Sequence, residues 1–158
     1  MQSQYDDVIY ALRIYHDIPR LIAEEWNEIR RCREEREKIP APAGAGADGD
    51  QTAQLAVKDR ETLFQGEIES RLARIDELRR TREWLRKGLS GVNLYDRQIL
   101  DLAYIGPADA AQRLSWRRKN WSEIARETSY SSATVRRRAG RALKKIQMMK
   151  GEENLEQT

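Results

Sequence analysis

Apolar residues recur at three- and four-residue spacing through most of this chain, and strand-like alternation of valine and isoleucine is absent. Tyr5, Val8, Leu12, Tyr15, Leu21, Ile22, Trp26 and Ile29 predict helix over residues 3–39. Pro19 interrupts them. A proline lacks an amide donor and its ring clashes with the preceding turn, so the helix is expected to kink or restart at 17–20. Helical spacing returns with Phe64, Ile68, Ile75, Leu78, Leu85 and Leu89, alternating by four and three, with Arg71 and Arg82 at two positions of the seam. This predicts a long helix of coiled-coil character over 55–91. Polar seam residues weaken packing but fix register, and the preferred partner is the 20–39 helix in an antiparallel hairpin. A homodimer through the same seam is the alternative.

The two helical stretches are separated by PAPAGAGADGDQTAQ at 40–54. Small, Gly- and Pro-rich sequence buries too little to offset its ordering cost, so a flexible, disordered linker is expected there. Past Gly88, Ser90 and Gly91, which should end the long helix, Asn93 and Asp96 sit as N-cap and third residue of another. Leu94, Ile99, Leu102, Ala103 and Ile105 supply its apolar face, and Gly106-Pro107 stops it. A connector with room for a helical turn runs from 108 to 119.

The segment Trp121 to Ile146, WSEIARETSYSSATVRRRAGRALKKI, spells two further helices joined by a tight turn. Asn120 and Glu123 form a cap pair for a helix over 121–128. Thr128, Ser129, Tyr130 and Ser131 break the pattern with turn-favouring side chains, and Ser131 or Ser132 can cap a helix starting near 132. Val135, Ala139, Ala142, Leu143 and Ile146 then form one apolar stripe. The pattern therefore describes an all-α protein: an N-terminal segment 1–39 kinked at Pro19, a linker 40–54, a coiled-coil helix 55–91, a three-helix helix-turn-helix module 92–150 and an acidic tail 151–158.

Charge changes this picture from a fold to a candidate interface. Residues 111–150 carry twelve Lys or Arg against two Asp or Glu, a local charge of +10, whereas residues 1–110 sum to −4 and the last eight to −3. Positive charge concentrated on one end is the footprint that phosphate binding requires. Off the apolar stripe, Arg136 and Arg137 are candidates to read base edges in a major groove, since an arginine fork matches guanine O6 and N7. Arg141, Lys144 and Lys145 are candidates for backbone phosphates, with Arg118 and Lys119 of the connector. Trp116 beside Arg117, Arg118 and Lys119 fits either a phosphate-contacting loop or a tryptophan that covers the module while the charges stay wet.

Other chemistry is sparse. Cys32 is the single cysteine, which excludes an intrachain disulfide and a cysteine-based zinc cluster and suits a reducing cytoplasm. His16, the lone histidine, stands beside Asp17 and is read as a surface or capping residue. The chain has no phosphate-binding glycine loop followed by Lys-Ser/Thr, no nucleophile elbow and no metal-ligand cluster, so no enzymatic activity and no cofactor are expected. No signal peptide and no apolar run of about 20 residues is present, which predicts a soluble, cytoplasmic protein without a membrane partner.

From Asn93 to Ile146 the chain resembles region 4, the promoter-reading region of bacterial sigma factors. The likeness lies in LYDRQILDLAYI of the leading helix, the tryptophan-led Glu-Ile-Ala, the Tyr-Ser turn and the Val-Arg…Ala-Leu spacing. The whole layout is similar to small transcription regulators of phages and prophages of Gram-positive bacteria, including late-gene activators. The resemblance implies promoter DNA as partner, with RNA polymerase as a second one, and it implies Ser132, Ala133, Arg136 and Arg137 as base-facing positions with Arg141, Lys144 and Lys145 on the DNA backbone. It departs from the pattern in the long 106–119 connector. It also lacks the segments with which a full sigma factor grips polymerase, so an accessory activator is expected. Two alternatives remain open: a phage DNA-packaging protein of small-terminase type, and a coiled-coil adaptor that binds no DNA.

Overall fold

The computed structural model describes residues 4–38 and 51–156, and all regular structure among them is helical. Helix α1 spans Asp6–Ile14. A 3-10 turn over Tyr15–Asp17 separates it from α2, Ile18–Lys38, so the break falls just ahead of Pro19, which occupies the first turn of α2. There its missing amide costs nothing, because first-turn amides have no intrahelical partner. Helix α3 is long, Gln51–Ser90, followed by α4, Leu94–Leu100, which continues into a π-helical segment, Asp101–Ile105. The short α5, Ala110–Ser115, lies within the connector. Helices α6, Trp121–Thr128, and α7, Ser132–Glu156, complete the order. Among the described residues no helix is long and apolar enough to cross a membrane.

Two boundaries differ from the sequence-based expectation. Gln51, Thr52, Ala53 and Gln54 belong to the first turn of α3, not to a linker, because the glycines and prolines of the segment end at Gly49. The remainder of the expected linker, 40–50, lies outside the described residues. At the other end, residues 151–156 are not a separate tail but continue α7, since a single Gly151 among Glu, Asn and Leu costs a helix only about 1 kcal/mol.

The chain folds into two compact units, Pro19–Leu78 and a larger one that joins Met1–Ile18 to Arg79–Thr158. In the smaller unit Ile29 and Cys32 of α2 bury against Ile68 and Ile75 of α3, with Ile22 at the margin. Burial raises the pKa of the Cys32 thiol, with a hydrogen bond to Glu67 adding to the effect. Arg36 pairs with Glu61 at 2.7 Å, and Arg71 and Arg74 both reach Glu25, at 3.0 and 3.3 Å. Partner numbers fall on α2 as they rise on α3, so the two run antiparallel. Arg71, a polar seam position, also bonds Glu67 at 3.2 Å. Trp26, expected in the core, is 41% exposed; the interior of this helix pair is narrow and isoleucines fill it.

The larger unit overturns the grouping of residues 1–39 into one segment. Val8, Ala11 and Leu12 of α1 are buried against the π-helical segment and α7, so the N-terminal helix belongs with the C-terminal module. Its core contains Leu85 and Leu89 of α3, Ile99 and Leu100 of α4, Ala103 and Ile105, Ile124 of α6, and Val135, Ala139, Ala142, Leu143 and Ile146 of α7. Leu94, expected on the apolar face of α4, is 84% exposed, because the first residue after the N-cap points away from α7. Helix α3 ends at Ser90, within the cluster Gly88, Ser90 and Gly91 expected to end it, and Gly88 also has a packing role. An added Cβ there would stand 3.2 Å from Cα of Ile146, so its absent side chain sets how closely α3 and α7 approach.

Candidate nucleic-acid interface

The pair α6–α7 begins with a cap on each helix. The Asn120 side chain accepts from the Glu123 amide at 2.9 Å, and the Ser131 hydroxyl accepts from the Thr134 amide at 3.1 Å, each satisfying a first-turn donor. The Ser131 hydroxyl also donates to the Thr134 hydroxyl at 2.8 Å. Between them Ser129 adopts a left-handed conformation, φ 63°, which reverses the chain within three residues. Ile124 packs inward against α7, whose apolar stripe is the one read from the sequence.

A carboxylate orients α7 from below. Asp96 of α4 is nearly fully buried; its amide is capped by the Asn93 side chain at 2.9 Å, and its carboxylate accepts from the Asn93 amide nitrogen at 3.2 Å and faces the Arg138 guanidinium at 3.5 Å. Arg138 in turn lies 4.6 Å from the centre of the Tyr130 ring, in the turn before α7. One arginine therefore ties together the leading helix, the turn and α7. Sequence reading missed this role, since Arg138 stands in the run Arg136-Arg137-Arg138 with nothing local to distinguish it.

The remaining basic residues of α7 are placed differently. Arg136, Arg137, Arg141, Lys144 and Lys145 are exposed, as is Ala133, and Ser132 is half-buried at the helix start. At about 100° per residue, Ala133, Arg137, Arg141 and Lys144 fall opposite the apolar stripe, with Arg136 on one flank and Lys145 on the other. Among the described residues no carboxylate lies within ion-pair distance of Arg136, Arg137, Arg141, Lys144 or Lys145, whereas Arg138 is held by Asp96. The geometry leaves a row of cations facing solvent along about three turns.

The connector has internal partners instead. Lys119 forms an ion pair with Glu127, Arg117 reaches Glu123 at 3.2 Å, and the Arg118 guanidinium sits 5.0 Å over the Tyr104 ring. Burial raises the Tyr104 pKa, with Arg118 and Arg13 opposing it, and its ring meets Trp121 edge-on at 6.3 Å. Trp116 packs on Gly106: at φ 77° this residue favours glycine, and a Cβ would meet the indole at 3.0 Å. The π-helical segment closes there, with the Gly106 amide donating to Asp101 O at 2.9 Å, a bond across five residues. Trp116 thus covers the module, while Arg118 and Lys119 already have partners within it.

A second feature lies away from α7. His16, Arg97, Asp101, Leu102, Gln112 and Trp116 help to line an open cleft of about 640 Å³. Arg113 pairs with Asp17, and Arg97 with Asp101 at 3.0 Å. Burial is the largest cause of a lowered His16 pKa; Arg113 and Arg97 lower it further, and Asp101 and Asp17 oppose them. His16 is therefore half-buried, in surroundings that disfavour its charged form, and not a fully exposed surface residue.

Compared with known proteins, the chain matches no family model, no curated protein and no solved structure.

Proposed function

We propose that this protein is a sequence-specific DNA-binding transcriptional regulator that lays α7 into a major groove, as an accessory activator of the phage or prophage late-gene type. In this reading α4, α6 and α7 act as a helix-turn-helix module, and α2 with the first part of α3 as a helical hairpin. The row of exposed, unpaired cations on α7, opposite its apolar stripe, is the observation that carries it. Elsewhere many arginines are matched by a carboxylate, as Arg31 by Glu28 and Arg97 by Asp101. A helix that only needed solvation would gain from the same pairing, whereas phosphates supply the missing anions when duplex DNA binds. Ser132, Ala133, Arg136 and Arg137 then read bases, and Arg141, Lys144 and Lys145 meet the backbone. Arg118 and Lys119 are secondary backbone contacts whose present partners compete with phosphate.

The test begins with selection of a preferred duplex from random sequence, followed by binding titrations on that duplex and on a scrambled one. Arg136→Ala or Arg137→Ala is expected to cost about 1–3 kcal/mol on the preferred duplex and to narrow the gap to the scrambled one. Lys144→Ala weakens both equally and lowers the salt slope by about 0.9. Equal losses on both duplexes for all three variants would remove the assignment of a base-reading face, and no duplex binding at low salt would remove the function. For the accessory role, run-off transcription with purified polymerase should respond to the protein only when a conventional sigma factor is also present.

A further inference from the structure

We propose that Arg79, Arg82 and Arg86 of α3 form a second phosphate-binding face, which takes a second segment of duplex DNA on the opposite side of the larger unit from the cation row of α7. This rests on the DNA-binding reading above and extends it from one duplex to two.

Residues 79–87, RRTREWLRK, hold five cations and one carboxylate, Glu83. Their charge is hidden in the sum over residues 1–110, which is slightly negative. Arg79, Arg80, Arg82 and Arg86 are exposed. Glu83 is bonded by Arg86 at 2.8 Å and approached by Lys87 at 4.0 Å, and the Arg86 hydrogen bond is the largest cause that lowers the Glu83 pKa. Among the described residues no carboxylate stands within ion-pair distance of Arg79 or Arg82. Arg79 and Arg82 thus meet the criterion applied to the α7 row, whereas Arg86 meets a phosphate by leaving or sharing Glu83.

Its direction follows from the packing of α3 on α7. Gly88 faces Ile146, and the Trp84 ring lies 5.5 Å from the Lys150 ammonium, so this side of α3 meets α7. At about 100° per residue Arg79 and Arg86 project opposite Gly88, with Arg82 on their flank. Ile146 belongs to the apolar stripe of α7, opposite its own cation row. The two basic faces thus point away from each other across the α3–α7 contact, and one straight duplex in contact with one of them does not reach the other.

The composition of the face indicates a polyanion as its occupant. Trp84, Leu85 and Leu89 are buried, and no apolar side chain between 79 and 90 is exposed. Protein interfaces are anchored by buried aromatic and aliphatic side chains, which this face lacks. Arginine forks at three- and four-residue spacing suit the oxygens of successive phosphates, and such contacts read no sequence.

A capture experiment tests the proposal with the full chain. The selected duplex is immobilised, loaded with protein and washed, and a labelled 30-bp duplex of unrelated sequence, about three helical turns, is then added. Wild type should retain the labelled duplex, with retention falling steeply as salt rises. The variant Arg79→Ala/Arg82→Ala/Arg86→Ala should bind the immobilised duplex within about twofold of wild type yet retain about tenfold less of the second, and Arg→Lys at the three positions should restore part of it. If wild type binds the first duplex and holds no second one, the second face is wrong while the DNA-binding reading stands. Undiminished capture by the alanine variant would place the bridge elsewhere, as in a dimer with two α7 rows, and overturn the proposal. Retention of a polyglutamate peptide in place of the duplex would assign the face to an acidic protein, with the same result. If wild type binds neither duplex, both readings fail.

Discussion

At the scale of single residues, two side chains occupy states they would not choose alone. Ser129 holds a left-handed conformation, φ 63°, which costs an L-residue about 1–2 kcal/mol. Ser129→Gly should therefore raise the denaturation midpoint, by up to about 1 kcal/mol after the entropy that glycine loses on folding, and Ser129→Val should lower stability by about 1–2 kcal/mol. Equal midpoints for glycine and valine would show that the turn carries no strain. His16 is the other case. Its folded pKa is lowered, by burial first and then by Arg113 and Arg97. The unfolded chain then binds the proton more readily, so stability is complete above the ordinary histidine value of 6.5 and falls as pH drops below it. His16→Gln should flatten this part of the stability profile, with the acid limb set by carboxylates unchanged. An identical slope in wild type and variant would show that the cleft does not resist the imidazolium.

At the scale of elements, helix identity was legible and helix neighbourhood less so. The caps at Asn93 and Asn120 could be read because a cap is a local event: one side chain accepts from a backbone amide three residues on. Gly88 has a second role that the same reasoning did not show. A glycine near the end of a helical pattern signals a C-cap locally, and here it also admits Ile146 of a helix about sixty residues away. Gly88→Val should cost about 1–3 kcal/mol by forcing α3 and α7 apart. Gly66→Ala, on the same helix with nothing within 4 Å of its added Cβ, should instead stabilise by about 0.5–1 kcal/mol. Thermal or denaturant unfolding of the two variants in parallel checks this, and like signs would contradict the packing described. Arg138 is the comparable case in the candidate site: it lies in a run of three arginines, and only the buried Asp96 separates it from its neighbours.

At the scale of the whole molecule, the larger unit is discontinuous in sequence, since α1 buries Val8 and Leu12 within the module that carries α6 and α7. Leu12→Asp places an unpaired charge at a position with no exposure, a change expected to cost several kcal/mol. Amide hydrogen exchange should then show lost protection at Ala103, Ile105 and Ala142, more than ninety residues away, with protection at Ile68 and Ile75 of the other unit retained. Loss confined to residues 6–14 would mean that α1 is dispensable to the module.

Helical class, the apolar stripe of α7 and the basic end of the chain were all determined by the sequence alone. Each is periodic or local, and spacing of three and four residues carries that information without any partner. Three features depended on the tertiary structure: that α1 joins the C-terminal module, that Trp116 and Gly88 serve packing, and that Arg138 is held while Arg136, Arg137 and Arg141 are not. The physical reason is the same in each case. A side chain's role is set by what lies within a few ångströms of it, and here those neighbours come from helices tens of residues distant, a separation that charge counts and periodicity do not encode.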